Sequence, residues 1–250
     1  MSELKHREIQ FYRSLHQKKG RYTHNCFLIE GFHLVEEALL SGFPLHEVLY
    51  SEQMDDKPHS IIQKVRKQNI PVRYIHQQDL ERLSSTESPQ PIVAVAPLPQ
   101  MNHSIQGSAI YLHQINDPGN LGTIMRTALW YGIYHILLSA DSCDPLNPKT
   151  VRASQGALFR IKLTVNMELS ALKSYAGTHR LLASDPSCNY FPKVQKDFIA
   201  VFGSESHGLS QVSLDFPHQW FGIDKQGYGE SLNLAVAAGI FLDRVTSGKK

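Results

Sequence analysis

Short apolar runs alternate with amphipathic stretches along the chain. CFLIE (26–30) reads as a buried strand, and HLVEEALLSG (33–42) as a helix closed by glycine. HEVLY, IIQKVRKQN, PVRYI, QDLERL and IVAVA continue as strand, helix, strand, helix, strand. The next stretch, PLPQMNHSIQG (97–107), is rich in proline and polar residues and lacks periodicity, so it reads as a linker. A second series begins with the strand AIYLHQ (109–114). LGTIMRTALWYGI (121–133) follows as a helix, with apolar residues at 121, 124, 125, 128 and 129 forming one buried face. YHILLS, IKLTV, RLLAS and FIAVF read as strands, and PKTVRASQGALF as a helix with Pro148 in its first turn. SLNLAVAAGIFLDRV (231–245) is a helix with no charge before Asp243. A girdle that wide is buried on more than one side, by the core alone or by a second subunit as well. The pattern predicts an α/β protein with a domain at 1–97, a linker at 98–107 and a domain at 108–250.

Composition narrows the class. With 42% hydrophobic and 19% charged residues, the chain is not broadly disordered, and 250 residues suffice for one large or two medium domains. The formal net charge of +2 does not itself point to nucleic acid. The distribution says more, because in the first 25 residues Lys5, Arg7, Arg13, Lys18, Lys19 and Arg21 stand against only Glu3 and Glu8. Such an arm fits either phosphate binding or a solvated helix. Cys26, Cys143 and Cys188 are scattered and odd in number, which excludes a zinc ribbon or redox dithiol and fits a reducing compartment. The N-terminus lacks an apolar run, and no stretch is long and apolar enough for a membrane span. A cytoplasmic protein is expected.

Common catalytic signatures are missing. There is no GxGxxG after a strand, no GxxxxGK[ST] and no HExxH, and GSESHG (203–208) fails the GxSxG pattern at Ser204. The histidines are dispersed and no metal site is expected. Three segments remain. In INDPGNLGTIMRTA (115–128), a turn precedes Asn120, placed as a helix N-cap. Arg126 then lies off the apolar stripe, roughly 140° around the helix from Leu121. Read alone, this is an ordinary helix start. In FIAVFGSESHG (198–208), an apolar strand runs into glycines and Glu205, where the carboxyl ends of α/β strands form ligand crevices. Glu205 fits a ligand contact or the cap of a following short helix. In FGIDKQGYGESLNLAVAAG (221–239), Gly227 and Gly229 make a loop, Ser231 fits an N-cap, and Asn233 sits in the first turn.

In this order and spacing the segments resemble one family, the SpoU-type (TrmH) ribose 2′-O-methyltransferases of the SPOUT superfamily. Its DPxNxGxxxRxA is matched by Asp117-Pro118, Asn120, Gly122, Arg126 and Ala128. Its GxExxG is matched by Gly203, Glu205 and Gly208, and its SLNxxxAxxI by Ser231-Leu232-Asn233, Ala237 and Ile240. NPKTVRASQGALFR also reads as family sequence. The resemblance covers about residues 107–247. Residues 1–97, with FLIEGFHLVEEAL and LSSTESPQPIVAVA, resemble the ribosomal-protein-like RNA-binding domain often attached to this family.

The resemblance implies a parallel α/β sheet whose C-terminal part forms a deep trefoil knot, an exception to the rule against knots. It implies S-adenosylmethionine held near Ser184, Gly203, Ile223 and Leu232, and a homodimer formed through the knot region. The functional polar residues map to Asn120, Arg126, Glu205, Ser231 and Asn233. The expected reaction is 2′-O-methylation of a ribose in RNA. Ribosomal RNA is favoured by the N-terminal domain, with transfer RNA as the alternative. A non-catalytic RNA-binding protein with a degenerate site is the competing class, and the intact polar set argues against it. Arg126 is often cast as a base in this family. Arginine stays protonated in proteins, so a bidentate grip on an RNA phosphate suits it better. Three positions depart from the family pattern: Asp224 and Lys225 replace a proline-methionine pair, and Glu230 stands where many members carry a small residue.

Overall fold

The computed structural model describes residues 3–51, 57–194, 196–209 and 212–247. In chain order the helices are α1 (His6–Ser14), α2 (Lys18–His24), α3 (Phe32–Ser41), α4 (Lys57–Lys67), α5 (Gln77–Leu83), α6 (Pro118–Trp130), α7 (Pro148–Ala153) and α8 (Leu234–Thr246). The strands are β1 (Cys26–Glu30), β2 (Glu47–Tyr50), β3 (Val72–Tyr74), β4 (Ile92–Pro97), β5 (Ala109–Leu112), β6 (His135–Leu138), β7 (Lys162–Thr164), β8 (Arg180–Ser184), β9 (Phe198–Phe202) and β10 (Gln219–Phe221). They divide into two compact units, one of residues 1–99 with 144–159, the other of 100–143 with 160–250.

The first unit carries a mixed four-stranded sheet in the order β1-β4-β2-β3. β4 pairs antiparallel with both β1 and β2, and β2 pairs parallel with β3. The alternation read from the sequence is present, and α3 ends as expected, with Gly42 in the left-handed conformation at φ +71°. Residues 144–159 differ from the expected boundary, which assigned them to the C-terminal domain. Leu146, Val151, Leu158 and Phe159 are buried, and the Phe159 ring lies 5.1 Å from that of Phe43. The anticipated single helix is broken there. α7 stops at Ala153, Gln155 and Gly156 take positive φ, and a 3-10 turn at Ala157–Phe159 follows.

A buried ion pair ties this segment to α2. The Arg21 guanidinium pairs with the Asp144 carboxylate and donates to the carbonyls of Leu15 (2.9 Å) and His16 (2.8 Å). Arg21 is 2% exposed, so the basic arm offers one cation fewer to a partner than its sequence suggests.

The second unit is built on a wholly parallel sheet in the order β10-β8-β9-β5-β6-β7. Strands buried on both faces read as continuous apolar runs, as FIAVF does. On one face, Phe241 of α8 packs against Phe198 (5.5 Å), Phe202 (5.8 Å) and Phe221 (4.5 Å). Burying a ring of this size contributes roughly 1.5–3 kcal/mol and fixes where α8 begins. α6 lies against α8, and of the expected stripe Leu121, Ile124, Met125 and Ala128 are buried, while Leu129 is half-buried. The other face buries Tyr111, Leu172, Leu181 and Phe216.

Residues 100–107, expected to link domains, are part of this unit. Met101 bridges Leu163 of β7, and the Gln106 amide donates to Nε2 of His135 (3.3 Å). Burial holds the His135 imidazole below its usual pKa, aided by the nearby Lys162, His103 and His179. That shift favours the neutral ring, whose Nε2 can accept from Gln106. Among the described residues no helix is long and apolar enough to cross a membrane.

The Asp144–Arg21 pair gives a stability prediction for the first unit. Asp144→Ala strands a buried guanidinium and should cost about 3–5 kcal/mol. Amide exchange in β1 and β4, measured under native conditions, should accelerate accordingly. Adding Arg21→Met should recover most of the loss, whereas an Asp144→Ala protein with unchanged exchange would show the pair to be dispensable.

Candidate active site

All strands of the second unit run parallel, so their carboxyl ends share one edge of the sheet. Ser184 ends β8, Gly203 follows β9, and Gly222 and Ile223 follow β10. Crevices at such an edge are where open α/β sheets bind ligands. The four positions expected to hold the cofactor meet this edge differently. Ser184 pairs with Phe221 and is half-buried, as is Ile223, whereas Leu232 is exposed.

Two glycines shape the edge. A Cβ on Gly203 would lie 2.0 Å from the backbone carbon of Gly208, so residues 203–208 fold back on themselves only with glycine there. The Gly208 amide closes the turn on the Ser204 carbonyl (2.9 Å). A Cβ on Gly222 would meet the Cys188 carbonyl oxygen at 1.9 Å. The turn after β8 thus rests directly on the end of β10. Sequence reading passed over Gly222, although a glycine directly after a short aromatic run was a usable signal.

The start of α6 departs from expectation. The helix begins at Pro118, and its N-cap is Asp117, whose carboxylate accepts from the Asn120 amide (2.8 Å). Asn120 is therefore the third helical residue, and its carboxamide is free for other partners. The start of α8 is shifted likewise. Ser231 is not the cap. Asn233 is, its Oδ1 accepting from the amides of Ala235 (2.9 Å) and Val236 (3.3 Å).

Those caps leave the two asparagines facing each other. Asn233 Nδ2 donates to Asn120 Oδ1 (3.0 Å), and Asn120 Nδ2 donates to Glu205 Oε1 (3.3 Å). The carboxylate also accepts from the amides of Asn116 (3.3 Å) and Asp117 (3.4 Å). Glu205 therefore does not cap a following helix; residues 204–208 form a turn, and its charge sits at the positive N-terminal end of α6 instead. The direction of the relay is fixed at both ends. Backbone amides demand the oxygen of Asn233, and an ionised carboxylate demands the nitrogen of Asn120. One residue from each of the three sequence segments is joined in this way.

The structure does not draw Arg126 and Ser231 into the relay. Both are exposed, and neither side chain forms a hydrogen bond or ion pair with a described residue. Arg126 is held from behind by the buried stripe of α6, which leaves its guanidinium uncommitted. Asp224, Lys225 and Glu230 are exposed on the loop before α8, and Lys225 Nζ donates to the Gly229 carbonyl (2.9 Å). Among the described residues no group of three or more His, Cys, Asp or Glu is arranged to hold a metal.

This arrangement can be set beside known proteins. The model for the SpoU rRNA Methylase family matches residues 107–243, and that for an MRM3-like substrate binding domain matches residues 6–94. An uncharacterized tRNA/rRNA methyltransferase of Synechocystis is 32% identical over 92% of this chain and 87% of its own length. The 23S rRNA (guanosine(2553)-2′-O)-methyltransferase of Bacillus subtilis is 30% identical, with 97% of each chain covered. A crystal structure of an AdoMet-bound rRNA methyltransferase from Sinorhizobium meliloti superposes with a TM-score of 0.83 at 25% identity, covering 99% of this chain and 98% of the other. The parallel sheet, the three joined segments and these matches agree, and the chain belongs to the SpoU rRNA methylase family.

Proposed function

We propose that this protein transfers a methyl group from S-adenosylmethionine to the 2′-hydroxyl of a ribose in ribosomal RNA. The relay of Glu205, Asn120 and Asn233 carries this reading, because it assembles the family's three polar segments at the carboxyl edge of the sheet. The favoured RNA follows from the relatives in Bacillus subtilis and Sinorhizobium meliloti, both named as rRNA methyltransferases, and from the substrate-binding match at residues 6–94.

The cofactor's expected place is the backbone at Gly203, Ile223 and Leu232, with Ser184 beside it. The glycine edge fits such a role, since a Cβ on Gly203 would fill the turn. When bound, S-adenosylmethionine supplies a methyl group on a sulfonium for an oxygen nucleophile. The chain's own residues must align the ribose hydroxyl with that methyl and let its proton leave. Asn233 Oδ1 is occupied by two amides, so Asn233 can offer the ribose only its remaining N–H. Ser231, exposed two residues earlier, can donate or accept. Glu205 is engaged by three N–H donors and acts by holding the loop at Asn116 and Asp117. Arg126, uncommitted and permanently charged, grips a phosphate and steadies the alkoxide as it develops. The proton then passes to a substrate phosphate oxygen or to water.

Three further features belong to this reading. The C-terminal part is threaded as a trefoil knot, supported by β10 pairing outside β8 while the following α8 returns to pack on α6. The protein acts as a homodimer, supported by the apolar side chains of Leu232 and Val236, each 50% exposed at the start of α8. A cytoplasmic location is supported by three free cysteines.

Arg126→Ala should lower methyl transfer 10²–10³-fold, the usual cost of one such stabiliser, while calorimetry shows unchanged S-adenosylmethionine binding. Activity above about a tenth of wild type would remove Arg126 from this role. Asn233→Asp keeps the cap of α8 but presents an oxygen to Asn120. It should retain the wild-type urea midpoint yet lose about tenfold in transfer rate, whereas Asn233→Ala should also lose about 1 kcal/mol of stability. An Asn233→Asp enzyme of full activity would contradict the relay.

A further inference from the structure

The loop joining β10 to α8 carries a feature that neither the sheet nor the relay uses. Tyr228 is 107% exposed, the highest value of any large apolar or aromatic residue described. Among the described residues its ring stacks on no other ring and lies under no cation, whereas Trp220, also partly exposed, packs on His218 at 4.9 Å. An aromatic ring held entirely in water gains nothing for the fold.

The loop is nevertheless built. Lys225 Nζ donates to the Gly229 carbonyl (2.9 Å), which closes residues 225–229 into a clasp with Tyr228 near its tip. Gly229 adopts φ +127°, a conformation that other residues rarely take, and there is open space around both Gly227 and Gly229. The lysine that could have met a phosphate is thereby spent on the clasp. Asp224 and Glu230 flank the clasp and are exposed, so the loop disfavours the RNA backbone and leaves the ring as its means of contact. Asn233, the cap of α8 and a member of the relay, is five residues beyond Tyr228. Even at full extension, that is about 17 Å of chain.

We propose that Tyr228 stacks on a nucleobase of the RNA substrate, either the base of the methylated nucleotide or one beside it, and so contributes to target selection. This rests on the reading of the protein as an RNA methyltransferase. Single-stranded RNA is recognised largely by bases splayed onto aromatic side chains, and a ring already exposed on a closed loop meets that need with little reordering. Tyr228 is a specificity residue and takes no part in methyl transfer itself.

The test compares Tyr228→Ala and Tyr228→Phe with wild type on ribosomal RNA, reading kcat/KM for RNA and the calorimetric affinity for S-adenosylmethionine. Tyr228→Ala should lose roughly ten- to a hundred-fold in kcat/KM, the usual range for one stacked base. Tyr228→Phe should stay within about threefold, and cofactor affinity should be unchanged in both. An active wild type with an equally active Tyr228→Ala would overturn the stack alone, as would equal losses in both variants, which would implicate the hydroxyl. A wild type that methylates no RNA would overturn the functional reading and the stack with it.

Discussion

The Asn120 carboxamide is the contact on which the site depends. It accepts from Asn233 and donates to Glu205, and in doing so it joins the starts of α6 and α8 to the turn after β9. These three places are far apart in the chain: Asn120 lies 85 residues before Glu205 and 113 before Asn233. Each asparagine is oriented by a partner that allows only one choice, so the relay tolerates no reversal. Hydrogen bonds of 3.0–3.3 Å at an exposed site contribute little to global stability. Their work is to set the relative positions of the groups around the strand ends.

The relay is precise because larger forces place its members first. Phe241 fixes α8 among three strand phenylalanines two turns beyond Asn233, and the apolar stripe fixes α6 on the same face of the sheet. Gly203 brings Glu205 round by allowing a turn that no side chain would permit. Packing thus supplies rigidity, and polar contacts supply direction. Arg126 and Ser231 stay outside the relay and are exposed.

Much of this was legible in the sequence. The strands of the parallel sheet read as apolar runs, and the α6 stripe appeared at four of its buried positions. The starts of α6 and α8 differ from the expected ones by three residues. The apolar stripe of α6 begins at Leu121, but Pro118 suits the first helical position and Asp117 can cap it, so the helix starts before its stripe does. Ser231 and Asn233 are both good caps by residue type, and only the packing of α8 decides between them. β10 escaped notice because three residues carry no periodicity. The grouping of residues 144–159 with the first unit involves apolar packing and the pair of Arg21 with Asp144, 123 residues apart, which local pattern cannot reveal. The relay was visible only as its separate members.

The central claim is a reaction on the ribose of ribosomal RNA, and it is tested most directly by mapping 2′-O-methylation across total RNA from cells with and without this protein. The account predicts the loss of a ribosomal RNA 2′-O-methyl group in its absence, restored by the wild-type chain and not by one carrying Arg126→Ala. An unchanged ribosomal RNA map, or a loss confined to transfer RNA, would contradict it.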